Sequence, residues 1–432
     1  MWLSHSERPL KANELCYAMG VEIGSTDLNS QNIPTIETLL GCSLGLVILE
    51  ASSYRVRLVH YTLQEYLSNN TDLFPSSHSM IAEVCLTYLN FQGVRDLSLT
   101  FDWFEPPIEL LEYASCYWGT HAIREMTESV KMLALRLLDG FEKHVSSWML
   151  LRCAEEYLDL EPCVVNSTGF TGLHGSAYLG MVEIAVNLLE MGRCDLNATD
   201  IVGNTAISWA ARKGHGAVAK MLLKREDVTP NTIDKYGRTP LSWAAKNCNE
   251  EIVKILLERD DVTPDTSDKD DRTPLSCAAE YGRKSIIKML LEKEDVTPNT
   301  TDKDRRTPLS WASKNRNEEI VKIVLEREDV TPNTADNDGR TPLSRAAEYG
   351  HESAAKMLLE RGDVTPNTKD KDGRTPLSWA AEYANEGIVK VLPSLAMGQP
   401  GFQILKPGPN PTQTIAGPTQ TRPDPKKPGP PE

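Results

Sequence analysis

The sequence is short of positive charge for its size, with 46 Lys and Arg against 61 Asp and Glu and a formal net charge of −15 over 432 residues. Such a surface repels phosphate backbones and anionic headgroups, so neither nucleic acid nor a membrane is an expected partner. Long hydrophobic runs are missing as well. The most apolar stretch, Leu39 to Leu49, is too short to span a bilayer and reads as buried core. The opening MWLSHSERPLKANEL has no continuous apolar region of the kind a secretory signal needs. The nine cysteines are odd in number, scattered, and never spaced C-x-x-C. That excludes a disulfide framework or a paired-cysteine zinc site and suits a reducing, cytoplasmic setting.

Catalytic signatures are also lacking. The chain contains no H-E-x-x-H, no G-x-S-x-G and no metal-spaced His/Cys cluster. His174-Gly175-Ser176 looks superficially like a nucleophile loop but falls in a short helix, where a structural role is expected. The acidic run Asp268 to Asp271 lacks the spacing and terminal Glu of a calcium loop and reads as a solvated hairpin tip. The expectation is no enzyme, no cofactor and no metal.

What the sequence does have is self-similarity. Thr-Pro-Leu recurs at Thr239, Thr273, Thr307, Thr341 and Thr375, every 34 residues, with degenerate copies in register at Thr171 and Thr205. This defines seven units from about residue 168 to 392. In one unit, Gly237 offers the positive φ of a tight turn, Thr239 is a natural N-cap, and Pro240 fits the first helical position. Leu241, Ala244 and Ala245 form a short helix. Asn249 then caps a second helix with Glu250 and Glu251 in its first turn and Ile252, Ile255 and Leu256 on its buried face. The proline in the connector DVTPDT stops that helix.

The Gly-x-Thr-Pro-Leu opening and the Ala-rich first helix resemble ankyrin repeats. The units are one residue longer than the usual 33, and the usual histidine after Thr-Pro-Leu is serine at Ser242, Ser276, Ser310, Ser344 and Ser378, surviving as His174 in the first unit. Weaker coupling between units is expected from those lost imidazole bridges. The resemblance implies that a protein ligand contacts the hairpin tips and the concave side of the first helices. In this register the candidates are Tyr236, Arg238, Arg272, Arg306, Arg340 and Arg374 at the tips and Tyr281, Tyr349 and Tyr383 on the helices. The row Trp209, Trp243, Trp311 and Trp379 is expected to pack between units.

Residues 1–70 read differently: helices, then two β-rich runs, LGLVILE and YRVRLVHY, and the helix TLQEYLSN. This order suggests a winged-helix domain. Its candidate recognition helix, PTIETLLGCS, carries Glu37 and no Lys or Arg, so DNA reading is not expected. Residues 71–165 are helical in pattern, and Tyr113, Tyr117 and Trp118 at helical spacing read as core. The segments WLSHSERPL, LCYAMGVEIGSTDLN, VRLVHYTLQEYL, IAEVCLTYLNF and LLEYASCYWGTHA, followed by the repeats, resemble fungal NACHT–ankyrin receptors of the NLR-like STAND class. That resemblance implies a ligand-sensing role for the repeats, with full-length NACHT-containing relatives as candidate partners. The family's nucleotide binding does not carry over, because no G-x-x-x-x-G-K-[ST] loop occurs in the sequence.

The expected fold is therefore mainly α: a winged-helix element (1–70), a helical region (71–165), a repeat solenoid (166–392) and a disordered Pro/Gly-rich tail (393–432). Within the tail, Arg422, Pro425 and Pro428 fit an R-x-x-P-x-x-P ligand. Pro393 is expected to break the last helix near Leu392. The function expected is a protein-interaction scaffold, the sensing half of an NLR-like receptor or, alternatively, a free-standing adaptor or inhibitor.

Overall fold

The computed structural model describes residues 1–97, 109–154, 167–192 and 194–396. The tail motif at Arg422, and the tail beyond residue 396, lie outside the described residues. In the N-terminal region α1 (Trp2–His5) leads to β1 (Leu10–Lys11), α2 (Ala12–Gly20), α3 (Ile36–Cys42), β2 (Val47–Glu50), β3 (Arg55–Leu58) and α4 (Tyr61–Asn69). The two β-rich runs pair as an antiparallel hairpin with Val47 opposite Leu58 and Glu50 opposite Arg55. The short β1 joins the far edge of β3, giving the order β1-β3-β2. Alternation decides the face of β3: Val56 and Leu58 are buried, Arg55 and Arg57 exposed.

The stretch Leu39 to Leu49 is not buried core. None of its residues is buried, and Leu44 and Leu46 are 90% and 51% exposed. Together with Met19, Ile23 and Ile36 they line an open apolar groove between α2, α3 and the sheet. Hydrophobicity alone did not predict burial here, because α3 and the hairpin have too few neighbours to cover them.

Helices α5 (Ser77–Leu89), α6 (Gln92–Arg95), α7 (Leu111–Arg124), α8 (Glu128–Leu138) and α9 (Val145–Ala154) follow, with α7 packed on both α5 and α9. Tyr113 and Trp118 are fully buried and Tyr117 partly so, as core aromatics. They anchor the start of the chain. The Glu7 N–H donates to the Tyr113 hydroxyl (3.2 Å), which also meets His121 Nε2 at 2.9 Å. The Arg124 guanidinium pairs with the Glu7 carboxylate, and Arg8 grips buried Glu14 through two bonds of 2.8 and 2.6 Å.

Seven helix pairs then stack. They are α10 (Gly172–Leu179) with α11 (Val182–Glu190), α12 (Ala206–Lys213) with α13 (Gly216–Leu223), and α14 (Pro240–Asn247) with α15 (Glu250–Leu257). After them come α16 (Pro274–Glu280) with α17 (Lys284–Leu291), α18 (Pro308–Lys314) with α19 (Glu318–Leu325), α20 (Pro342–Tyr349) with α21 (Glu352–Glu360), and α22 (Pro376–Glu382) with α23 (Glu386–Ala396). First helices pack in one row and second helices in another. The Thr239 hydroxyl accepts the Ser242 N–H, Pro240 opens the helix, and Gly237 turns at φ 78°. The second helices bury a wider stripe than expected. In α15, Val253 and Leu257 are buried beside Ile252 and Leu256, and Ile255 is only half-buried. A helix flanked by two like helices must cover both sides.

Asn249 occupies the N-cap of α15 but makes no capping bond; its amide donates instead to the Ala211 carbonyl of the preceding unit at 2.5 Å. His215 and His351 reach back in the same way, to the carbonyls of Tyr178 (3.0 Å) and Lys314 (2.9 Å). His174 meets the Asn204 carbonyl of the next unit at 3.0 Å, whereas the serine that replaces it elsewhere bonds only inside its own unit, as Ser242 does with Thr239.

The stack is continuous with the region before it. A Cβ on Gly172 would lie 2.3 Å from the Leu138 carbonyl oxygen and one on Gly119 would lie 2.6 Å from the Leu179 side chain, so α7 and α8 close directly on α10. One hydrophobic cluster runs from Trp2 to Leu392. At the far end α23 does not break near Leu392: it continues through Pro393 to Ala396. Proline's fixed φ is compatible with a helix, and Ile388 and Leu392, both buried, hold this one against its neighbour. Among the described residues no helix is long and apolar enough to cross a membrane.

Candidate protein-binding surface

Each unit after the first is organised by a buried aspartate at its tip: Asp200, Asp234, Asp268, Asp302, Asp336 and Asp370. Asp234 shows the chemistry. Its Oδ1 accepts the Tyr236 and Arg238 N–H groups at 2.8 and 2.9 Å, which closes the turn. Its Oδ2 accepts the Trp243 indole N–H at 3.0 Å. The same indole bond recurs as Trp209–Asp200, Trp311–Asp302 and Trp379–Asp370, at 2.8 to 3.0 Å. Burial pushes the Asp234 and Asp302 carboxyls above their ordinary value, opposed by these hydrogen bonds. The tryptophan row therefore packs inside the stack, as expected.

Asp268 corrects the reading of residues 268–271 as a solvated tip. It is 4% exposed and holds the turn, while Asp270 and Asp271 are exposed. No indole is present in that unit, where Cys277 takes the tryptophan position; Arg238 and Arg272 meet Asp268 Oδ2 at 3.4 and 3.1 Å instead. In the sixth unit Arg345 takes the position and pairs with Asp336 from within the core. Adjacent tips are joined by backbone bonds, with Lys235 N–H to Val202 O at 2.7 Å, Lys269 to Tyr236 at 2.7 Å and Lys371 to Asp338 at 2.9 Å.

The tip arginines lie along this ladder, folded back onto it. Arg272 reaches Asp270 at 2.8 Å and Glu280 at 3.3 Å; Arg306 reaches Asp304 at 2.9 Å; Arg340 pairs with Asp338 and with Glu348 at 3.1 Å. Arg374 meets Asp372 and Glu382 at 3.7 and 3.5 Å. Several guanidiniums also cover indole faces: Arg238 over Trp243 at 4.8 Å, Arg306 over Trp311 at 4.9 Å, Arg374 over Trp379 at 4.5 Å. Tyr236 is half-buried between Lys235 and Arg238.

The helix tyrosines behave otherwise. Tyr281, Tyr349 and Tyr383 end α16, α20 and α22 and are 42%, 45% and 55% exposed. Lys246 lies 5.3 Å over the Tyr281 ring and Lys314 lies 5.9 Å over that of Tyr349. Burial lowers both lysine pKa values, and neighbouring arginines lower them further. The surface is thus amphipathic tyrosine beside partly desolvated cation, in a row of first helices. Among the described residues no group of His, Cys, Asp and Glu is arranged to hold a metal.

Two sets of residues escaped the sequence reading. One is the aspartate row, whose signal was its own recurrence every 34 residues. The other is an asparagine ladder on the connectors: Asn231, Asn299 and Asn333 donate to the Asp261, Asp329 and Asp363 carbonyls at 2.6 Å and accept N–H groups from Thr263, Thr331 and Thr365.

The sequence profile described as Ankyrin repeats (3 copies) matches overlapping segments that together run from residue 149 to 397, more than half the chain. A solved structure, the ankyrin repeat domain of Bcl-3, described as a member of the IkappaB protein family, aligns over 50% of this chain and 97% of its own. The identity is 21% and the TM-score 0.45. No curated protein matches the chain.

Proposed function

The chain belongs to the ankyrin-repeat proteins, and we propose that its stack recognises a protein ligand through the row of first helices and their tips. One observation carries this reading. Between residues 194 and 392 the exposed large apolar side chains are Ile233, Tyr281, Tyr349 and Tyr383, so three of the four are tyrosines at one repeat position. Tyrosine offers large, stiff contact area with a polar end, and it is enriched where binding energy concentrates. Tyr236, Arg238, Arg272, Arg306, Arg340 and Arg374 form the rim of this site. Held by their own stack, they lose little freedom on binding. The ligand-sensing half of an NLR-like receptor is the role we assign, with the N-terminal region as its winged-helix element. The resemblance of the N-terminal segments supports it, as does the helix–hairpin order closed by a three-stranded antiparallel sheet.

The test uses the whole chain with Tyr281→Ala, Tyr349→Ala and Tyr383→Ala combined. Binding to a ligand identified with the unmodified chain is expected to weaken at least tenfold, since each exposed interface tyrosine is worth on the order of 1 kcal/mol. Helical content by circular dichroism should stay the same. Unchanged affinity would remove the face assignment.

A further inference from the structure

Two cysteines far apart in sequence meet where the N-terminal region joins the stack. Cys116 on α7 and Cys153 on α9 bring their sulfurs to 2.7 Å. Thiols at that separation need to close by roughly 0.6 Å to reach bonding distance. Cys153 is exposed and Cys116 half-buried, so a small oxidant reaches the pair from one side.

We propose that Cys116 and Cys153 form a reversible disulfide, made by hydrogen peroxide, that fastens α7 to α9 beneath the first repeat. The two thiols are unequally placed: Cys153 is exposed and Cys116 half-buried, and the guanidiniums of Arg152 and Arg8 favour negative charge at Cys153. Cys153 therefore takes the part of the nucleophile. It attacks one peroxide oxygen, the O–O bond breaks, and with one proton water leaves, giving Cys153 sulfenic acid. The Cys116 sulfur then attacks that sulfur, a second water departs, and the disulfide forms. Sulfur has lost two electrons and the peroxide has gained them.

Position gives the bond its consequence. Tyr178 of α10 stands beside the pair: its phenol is pushed up to about 12, first by burial and then by Cys153 and Cys116. Gly119, one turn beyond Cys116, is packed hard on Leu179 of the same helix. A covalent tie between α7 and α9 stiffens the platform on which the first unit rests.

The experiment treats the full chain with hydrogen peroxide and titrates its thiols after denaturation. From the nine cysteines the titre should fall by two, return with dithiothreitol, and peptide mapping should show Cys116 joined to Cys153. In the Cys116→Ser variant a dimedone adduct should accumulate on Cys153; in Cys153→Ser the rapid loss should vanish. Amide exchange in α7, α9 and α10 should slow about tenfold on oxidation. A titre that does not fall, a cross-link to any other cysteine, or a rapid loss that survives in Cys153→Ser would overturn the proposal.

Discussion

The two halves of the molecule satisfy their polar groups over very different sequence distances. In the stack, Trp243 finds Asp234 nine residues away, Ser242 finds Thr239 three away, and Asn231 finds the Asp261 carbonyl thirty away, one unit on. In the N-terminal region Glu7 is tied to Tyr113 and Arg124 across 106 and 117 residues, and Asn13 to Glu109 across 96. The stack is therefore close to a sum of units with nearest-neighbour terms, and its stability divides locally. The N-terminal region closes only when both ends of its chain are in place, so it opens as one unit.

The largest effect that sharpens this contrast comes from deleting one buried aromatic in each half. Trp243→Ala and Tyr113→Ala should each cost about 3–5 kcal/mol through lost packing and an orphaned partner. Hydrogen exchange should separate them. Loss of Trp243 should release α12 to α17 and spare α5 to α9. Loss of Tyr113 should release α1, α2, α5 and α7 together. Equal release across the chain in both variants would break the comparison.

Acid should act in the same divided way. His121 and His144 are buried, and burial lowers them to about 3 and about 4; His78 is lowered as well. A folded-state pKa below the unfolded value of about 6.5 means the unfolded chain binds more protons, so this stability is whole above pH ~6.5 and falls progressively below it. At pH 5 each of the two buried imidazoles should cost roughly 2 kcal/mol. In the stack, buried His174 and half-buried His215 are also lowered, yet Asp234 and Asp302 are raised and release strain as they protonate. Protection at pH 5 compared with pH 7, after allowing for the slower intrinsic exchange in acid, should therefore fall more in α5 and α7 than in α14 to α19. The reverse order would mean that the aspartate row, not the histidines, governs acid sensitivity.

This difference in range also explains what could be read from residues alone. Thr239 and Pro240 specify their own conformation and recur in five units, so the first helix is legible in each; the turn is legible where glycine recurs, as at Gly203, Gly339 and Gly373, whereas Asp271 and Arg305 take the same positive φ without it. The row of tryptophans was legible as packing, but its carboxylate partners were not: an Asp in a polar D-K-D run looks solvated until the indole nine residues on is seen to face it. The Asn249 amide was assigned to a cap because Asn commonly caps, and only the neighbouring unit's carbonyl shows why it turns away. In the N-terminal region the hairpin and helices were legible from alternation and period. The exposure of Leu44 and Leu46 was not, since burial depends on what the rest of the chain brings alongside.

The smallest effect tests the asparagine ladder at its one irregular rung. Where the other described connectors carry Asn197, Asn231, Asn299, Asn333 and Asn367, this position holds Asp265. Its Oδ2 accepts the Thr297 N–H at 2.7 Å, as the asparagine carbonyl does elsewhere, but its buried Oδ1 has no hydrogen-bond partner. In the regular rungs that second atom is an amide nitrogen donating to a carbonyl one unit on, which for this rung is Asp295. A carboxylate has no proton to give, so it sets two oxygens toward each other and leaves a negative charge partly desolvated. Asp265→Asn should supply the missing donor and remove the charge, while weakening the bond from Thr297 slightly, because a neutral acceptor is poorer. The net expectation is a gain of about 1 kcal/mol, seen as a higher denaturation midpoint at pH 7. Asn231→Asp should do the opposite, lowering the midpoint by a similar amount. If Asp265→Asn leaves the midpoint unchanged while Asn231→Asp lowers it, the units are not interchangeable, and the stack is less a sum of like parts than its spacing implies.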